Sequence, residues 1–340
     1  MLHGVTAVAV VLFLVWTAAC GFSVTAGYHR LFTHGAYRAH AALRAFWLFF
    51  GAAAIENSAL KWCSDHRRHH ASVDEEADPY NIRLGFWWAH IAWIFFRDDQ
   101  RIEKVGDLER DPLVRLQHRF YVPLLLFASF GLPTWIGLCF GDAWGGLVLG
   151  GFLRLVVLYH ATFCVNSLAH MFGGQPYSDG DSSRDSSLTA LITLGEGYHN
   201  FHHTFPFDYR NGVRAWHFDP TKWVIRGLSW TGLAGGLVRA PHDAILKARI
   251  RMDEKRVAGW VAEHPVLAVR LREARERLEK LAERWAELKA QMTALRERTG
   301  RASREALDEL RSEMREARRR FREAYGAWRL VLRQPELLAA

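Results

Sequence analysis

Cysteine is scarce in this sequence: the 340 residues include only four, at positions 20, 63, 139 and 164, and none belongs to a CxxC pair. A disulfide framework and a zinc site built from thiolates are therefore not expected. The chain also lacks a GxGxxG motif after a strand, a CxxCH motif and a cluster of cysteines, which mark flavin, haem and iron–sulfur proteins. Any redox reaction of this chain would therefore need electrons from a separate protein.

Charge and apolar residues are distributed unevenly along the chain. The mean hydropathy of −0.09 is that of a soluble protein. However, residues 241–340 hold 24 Lys and Arg against 17 Asp and Glu, whereas residues 1–240 hold 20 against 19. The net charge of +8 therefore belongs mostly to the C-terminal part, whereas most of the long apolar stretches lie in residues 1–240. We predict a membrane-embedded domain over 1–240 and a charged helical domain over 241–340.

Three stretches are long and apolar enough to span a bilayer, which takes about 20 such residues. They are 5–24 and 121–140, which carry no charge, and 143–165, which carries only Arg154. The first stretch has no basic residues before it and no small-x-small cleavage pattern after it, which argues against a signal peptide. We therefore predict three transmembrane helices.

Two further stretches are apolar but less suited to crossing a membrane. Residues 41–60 carry Glu56 and Asn57 near their end, and a buried charge in a span is costly. We predict an interfacial or cavity-lining helix there, and a second interfacial helix in the aromatic stretch 86–96. Because Lys and Arg are absent from residues 1–6 and 141–142, we expect these two segments to face outward and the other connections to be cytoplasmic.

Nine of the 17 histidines lie in four clusters near the ends of these elements: His29 and His34; His66, His69 and His70; His170; and His199, His202 and His203. Residues at i, i+3 and i+4 share a helix face, so each HxxHH triplet is expected to project together. His29 and His34 are five apart, so they either serve two different ions or straddle a helix end. Asn166 lies one turn before His170.

Neutral imidazole is a ligand for iron, copper, zinc and nickel. Nine histidines are too many for one ion and fit two ions with four or five ligands each. The alternative is that histidines at helix ends cap carbonyl groups or pack. For the clusters to meet, an even number of spans must separate them, which the three predicted spans satisfy.

The motifs HRLFTH, DHRRHH, NSLAH and GEGYHNFHHTFPFDY occur here in that order, with flanks that include Asp78-Pro79 and 219–223. Over 24–223 the chain resembles the membrane fatty-acyl desaturases of the stearoyl-CoA type. The resemblance implies an all-α membrane bundle with a cytoplasmic helical cap that holds two nonhaem iron ions. It implies metal ligation by the nine histidines above, with Asn166 holding an iron through a water.

The resemblance also implies a reaction and its partners. The family uses dioxygen and two electrons to remove two hydrogens from an acyl chain, most often giving a cis double bond at the ninth carbon. The expected substrate is an acyl-CoA, with acyl carrier protein and lipid carriers left open. The expected electron donor is a separate ferredoxin, flavoprotein or b-type cytochrome, and the expected location is a bacterial inner membrane with the active site cytoplasmic.

Four further residues are candidates for substrate contact. By resemblance, Asn57, Trp62 and Asp65 line the substrate tunnel, with ordinary helix packing as the alternative. Arg83 would meet either CoA phosphates or lipid headgroups. Two other functions stay open: a related diiron hydroxylase, and a non-catalytic membrane protein whose histidines bind zinc.

The two ends of the chain differ from the eukaryotic members of this family. Only the second helix of their first spanning hairpin is expected here, which fits either a shorter bacterial form or a truncated start. Apolar residues in the C-terminal part follow a heptad pattern over 271–295 and 307–331, broken at Gly300. This predicts an antiparallel coiled-coil hairpin with arms over 265–298 and 302–333. Such a hairpin would stabilise itself, support oligomerisation, dock the donor or contact anionic lipid. Nucleic-acid binding is not expected, because acidic residues are interspersed with the basic ones.

Overall fold

The structure is a computed structural model that describes residues 4–96, 101–298 and 304–338. Their regular secondary structure is helical apart from one short antiparallel ribbon, in which Arg38–Ala39 pairs with Ala234–Gly235, and the isolated bridges Gly174–Asp185 and Asp185–Tyr198. The membrane-type helices are Ala7–Phe22, Ala41–Ala53, Tyr121–Leu126, Leu132–Cys139, Ala143–Gly145 and Arg154–Asn166, with π-helical segments Ser23–Thr33, Phe127–Gly131 and Gly146–Leu153. The remaining helices before residue 240 are Ala59–Ala71, Ile82–Leu84 (3₁₀), Trp88–Ala92 (π), Trp93–Phe96, Gly106–Glu109, Pro112–Arg119, Leu168–Met171, Ser187–Ile192, His199–Thr204 and Pro220–Trp230.

The three predicted spans are confirmed as helices long and apolar enough to cross a membrane. Span 1 is Ala7–Thr33, span 2 is Tyr121–Cys139 and span 3 is Ala143–Met171. Spans 1 and 3 run further than predicted, because each continues as helix into a histidine motif. The hydroxyl of Thr6 donates to the Asp142 carboxylate, so the start of span 1 lies beside the turn between spans 2 and 3. The loop charges predict that residues 1–6 and 141–142 lie on the same side of the membrane, in agreement with this contact. That this side is the outer one stays a prediction.

The apolar segment 41–60 is two helices rather than the one predicted. The first ends at Ala53 and the second begins at Ala59, with positive φ angles at Ile55 (57°) and Asn57 (78°) between them. Side chains of the spans satisfy the carbonyl groups at this break: Ser129 donates to Ala53 O (2.6 Å) and Tyr159 donates to Ile55 O (2.8 Å). Irregular backbone is tolerated among apolar helices when protein groups satisfy it in this way.

The described chain divides into two compact units, one of residues 1–175 with 179–239 and the other of 176–178 with 240–340. In the second unit, Pro265–Arg298 packs against Arg304–Leu338, and Arg284 pairs with Glu313 across them (2.9 Å). The predicted break at Gly300 lies outside the described residues. A helix that the sequence did not predict, His242–Glu263, joins the same apolar core: Leu246 and Ile250 lie in one cluster with Leu278 and Trp328.

Candidate metal centre

The first histidine motif lies on a π-helix. In Ser23–Thr33 the backbone bonds follow the wider i→i+5 pattern, and the amide of His34 donates to the carbonyl oxygen of His29 (3.2 Å). This wider turn brings residues five apart onto one side, so the two imidazole centroids are 4.9 Å apart. Of the two sequence alternatives, the structure therefore has the pair straddling a helix end and facing a common point.

The nine histidines form two adjacent groups. The first group is His29, His34, His66, His70 and His202, and the second is His69, His170, His199 and His203; within each, one ring nitrogen of every member lies within 4.8 Å of the others. Each HxxHH triplet is thus divided between the groups, and does not project as one set. At about 100° per residue, the i and i+4 members share a side while the i+3 member turns about 60° the other way. His66 and His70 therefore separate from His69.

The ring nitrogens converge at spacings that suit metal ligation. The Nε2–Nε2 distances are 2.9 Å for His29–His202, 3.0 Å for His202–His70, 3.1 Å for His70–His66, 3.1 Å for His170–His199 and 3.0 Å for His199–His203. Imidazole nitrogens about 2.1 Å from a first-row divalent ion, at right angles to one another, would be about 3.0 Å apart. In addition, Nε2 of His34 is buried with no hydrogen-bond partner in the described chain.

The protonation state of the rings supports the same interpretation. Burial lowers the pKa well below the ordinary histidine value for His34, His66, His70, His199, His202 and His203. Outer groups accept from Nδ1 of three rings: Glu196 from His29, Asp78 from His69, and Ser182 from His170, each at 2.8 Å. With the proton on Nδ1, the Nε2 atoms direct lone pairs at one another. Such an arrangement is repulsive without a cation, so the donor set fits a pair of metal ions.

Glu196 and Asp78 were not predicted as site residues. Arg30 donates to Glu196 (2.8 Å) and also to Asp219 (3.0 Å), and Asn211 donates to Glu196 (2.6 Å). Burial by itself would raise the pKa of Glu196, but Arg30 and His29 outweigh it and lower this pKa to about 2. The only sequence signals were the positions of these carboxylates beside the histidine motifs, in GEGYH and ADPY.

A cavity of about 270 Å³ reaches the first histidine group. Its wall includes His29 and His66 together with apolar residues, among them Gly21, Val24, Trp93, Leu158 and Leu194. The Trp62 indole stacks on the His66 ring, with centroids 4.9 Å apart. The cavity therefore lies against two members of the first histidine group.

The candidate substrate residues lie in different places. Asn57, Trp62 and Asp65 line the cavity, as does Asn166, whereas Arg83 lies exposed in the short Ile82–Leu84 turn, away from the lining. Asp65 accepts from Lys61 (2.6 Å) and Arg68 (2.5 Å), which gives the wall one charged section.

A second polar section of the cavity wall was not predicted. The Glu56 carboxyl accepts from Trp62 Nε1 (3.1 Å) and from Thr162 (3.0 Å). Burial raises the pKa of Glu56 to about 7. These contacts fix the Trp62 ring between Glu56 and His66.

Comparison with known proteins agrees with this geometry. The model of the fatty acid desaturase family matches residues 6–231. The chain belongs to this family. The family resemblance inferred from the histidine motifs is therefore confirmed, and the matched region of this desaturase-family chain contains all nine histidines and Asn166.

Curated relatives of this family member include three with clear similarity. It is 46% identical over 253 residues to a probable acyl-CoA desaturase of Schizosaccharomyces pombe, which covers 73% of this chain and 53% of that protein. It is 44% identical to acyl-CoA desaturase 1 of Saccharomyces cerevisiae, covering 71% of this chain and 48% of that one. It is 38% identical to stearoyl-CoA desaturase 5 of Homo sapiens, with 70% and 76% covered. The chain thus spans about half the length of the two yeast relatives.

Proposed function

We propose that this protein is an oxygen-dependent acyl-CoA desaturase. It removes two hydrogens from a long saturated acyl chain and leaves a cis double bond, at the ninth carbon. The observation that carries the proposal is the pair of adjacent histidine groups, the first of which contributes His29 and His66 to the wall of a largely apolar cavity. Membership of the desaturase family and the names of the relatives support it.

The residues fit two iron ions. The first group offers five imidazoles and the second offers four; Asn166, at the end of the Arg154–Asn166 helix, would complete the second through a water. When bound, the ions would activate dioxygen as the oxidant. An unactivated C–H bond requires such an oxidant, since no side-chain base can remove its hydrogen. The reaction balances when dioxygen takes two electrons from the acyl chain, two from a donor and four protons in all, and becomes two waters.

The protein itself binds and orients the substrate and excludes water from it. Methylene groups enter the cavity at a gain of about 0.8 kcal/mol each. Trp62, fixed by Glu56 and stacked on His66, determines which part of the acyl chain lies against the first histidine group. Glu196 and Asp78 keep the Nδ1 protons of His29 and His69 outward, so that the Nε2 lone pairs stay available.

The charged wall section formed by Lys61, Asp65 and Arg68 fits the polar part of an acyl-CoA, and Arg83 would meet its phosphates or lipid headgroups. Electrons come from a separate ferredoxin, flavoprotein or b-type cytochrome. The three spans place the protein in a membrane, and we propose the bacterial inner membrane with the histidine groups cytoplasmic and the N-terminus outside. The C-terminal helices would serve oligomerisation or donor docking.

The test uses the full chain in lipid nanodiscs, loaded with iron and given dioxygen, a reductant and a saturated long-chain acyl-CoA. Mass spectrometry of the released chains is expected to show a product with two hydrogens fewer. A product with one added oxygen would instead establish the related hydroxylase. A fully loaded protein that consumes no oxygen and leaves the chains unchanged would favour a non-catalytic metal-binding protein.

A further inference from the structure

The helix Pro220–Trp230 has one unusually aromatic and basic face. Trp223, Arg226 and Trp230 occupy positions i, i+3 and i+7, so they share one side of the helix. Trp223 is 48% exposed and Trp230 is 76% exposed, while Ile225 on the opposite side is fully buried. The Arg226 guanidinium lies over the Trp230 ring, 5.9 Å from its centroid.

The loop before this helix carries a further exposed indole, that of Trp216. Lys222 Nζ donates to the carbonyl oxygens of Gly212 (2.6 Å), Arg214 (2.8 Å) and His217 (3.0 Å), which fixes the loop to the base of the helix. Trp216 in this loop is 75% exposed, and Arg214 lies over its ring at 5.4 Å. We call Trp223, Arg226 and Trp230 the Trp–Arg face.

Contacts at the start of the helix fix its depth relative to span 1. The Thr221 hydroxyl lies 2.9 Å from that of Thr25 and donates to Leu194 O (3.0 Å). Thr25 lies about 27 Å along span 1 from Ala7, at about 1.5 Å per residue. The hydrocarbon core of a bilayer is about 30 Å thick. The helix therefore packs against span 1 close to the level where hydrocarbon gives way to headgroups, on the side of the histidine groups.

The exposed charges of residues 206–240 are of one sign. Asp208 and Asp219 are the acidic residues of 206–240, and both are fully or almost fully buried. Asp208 pairs with Arg210, and Asp219 accepts from Arg30. Arg214 and Arg226 are exposed. Tryptophan beside arginine is the combination found where membrane proteins meet the headgroup region, and arginine there attracts anionic lipid.

We propose that the Trp–Arg face lies in the bilayer interface, with its indoles at headgroup level and Arg226 on lipid phosphates. The occupant is an anionic lipid surface, because the helix begins against span 1 at the depth where the hydrocarbon core ends and the exposed charges beside the indoles are those of Arg214 and Arg226. An acidic soluble protein is the rival occupant. The contact would hold the part of the chain that carries the fourth histidine cluster, His199, His202 and His203, at a fixed height above the bilayer.

The test measures the membrane depth of this face in the full chain. Trp230→Cys is made in a background with Cys139→Ser and Cys164→Ser, spin-labelled, and reconstituted in vesicles of phosphatidylcholine and phosphatidylglycerol. Phe127→Cys, on the exposed surface of span 2, is the lipid control, and Glu76→Cys, in an exposed loop, is the aqueous control. Trp223→Cys is the second reporter, in case one substitution impairs folding.

Accessibility to dissolved oxygen and to a water-soluble nickel complex gives the result. We expect labels at 223 and 230 to be at least threefold more accessible to oxygen relative to nickel than the label at 76, and closer to the label at 127. Labels that behave like the one at 76 would overturn the proposal. A label that is aqueous in vesicles and becomes protected only when an acidic protein is added would overturn it in favour of the rival occupant.

Discussion

The Arg154 guanidinium donates a hydrogen bond of 2.6 Å to the carbonyl oxygen of Ala53. Ala53 is the last residue of a 13-residue apolar helix that ends among the spans, and Arg154 is fully buried. The C-terminal end of a helix carries partial negative charge, so a cation there is favourable. This relationship explains why span 3 retains one charged residue in an otherwise apolar sequence.

Replacement of this cation tests its role. Arg154→Met removes the charged donor from Ala53 O, which keeps its hydrogen bond from Ser129, and also removes the hydrogen bond to Gly150 O (3.0 Å). The loss of a hydrogen bond from a charged group costs about 1.5–3 kcal/mol. We expect thermal unfolding in detergent to shift down on the order of 5 °C. Arg115→Met, at an exposed position, is the control and is expected to unfold with the wild type. Equal unfolding temperatures for both variants would contradict the assignment.

The division of the HxxHH triplets predicts an unusual pattern of metal loss. His70 and His202 belong to the same group, whereas His69 belongs to the other, although it is adjacent to His70 in sequence. The double variant His70→Ala, His202→Ala is expected to retain about one of two irons per chain, because the second group is intact. The double variant His69→Ala, His70→Ala is expected to lose both.

Elemental analysis of the purified variants separates these outcomes, with folding checked by circular dichroism. Equal iron contents in the two double variants would show that the nine histidines do not act as two separate groups.

Glu196 is expected to control metal affinity through His29. In Glu196→Gln the amide cannot supply the negative charge that orients His29 Nδ1–H and pairs with Arg30. Loss of such an outer partner typically weakens metal binding about 10–100-fold. Competition with a chelator measures the effect, with the exposed Glu76→Gln as the matched control. An affinity equal to that of the control would remove Glu196 from the site.

Gly21 is expected to limit the length of acyl chain that the cavity accepts. It lines the cavity, and a Cβ at this position would lie 2.9 Å from a methyl carbon of Leu194. Gly21→Leu should therefore fill part of the cavity and shift substrate preference toward shorter chains by at least tenfold in relative kcat/KM. At Gly227 a Cβ would meet nothing within 4 Å, so Gly227→Leu is the control. An unchanged chain-length profile in Gly21→Leu would place the acyl chain elsewhere.

Much of the fold could be predicted because its signals are local. Uncharged runs of about 20 residues identify the spans, and the HxxHH spacing places His66, His69 and His70 within one turn of a helix. The break at Ala53 could not be predicted, since it depends on donors from Ser129, Tyr159 and Arg154 in distant spans. The helix His242–Glu263 has a weaker heptad signal, because Asp253 interrupts the spacing of Leu246, Ile250, Val257 and Val261.

The nine histidines that the structure brings together could be identified from the sequence, whereas their arrangement could not. The π-helical turn that joins His29 to His34 has no distinctive sequence pattern, because it differs from an α-helix only in which carbonyl each amide reaches. The division of each triplet follows from helix geometry, but which histidines of the other motifs join each part depends on where the partner helices lie. Glu196 and Asp78 were missed because a carboxylate beside a histidine motif looks like any acidic residue until the ring that it orients is located.

The central claim is that the protein desaturates an acyl chain with metal ions held by the two histidine groups. Analysis of the fatty acids in cells that express the protein tests this claim most directly. Host cells expressing the wild type are compared with cells expressing His202→Ala at the same protein level. We predict a new monounsaturated chain, with its double bond at a single position, that is present with the wild type and lost in the variant. Identical fatty-acid profiles in the two strains, with the wild type loaded with iron, would contradict the account.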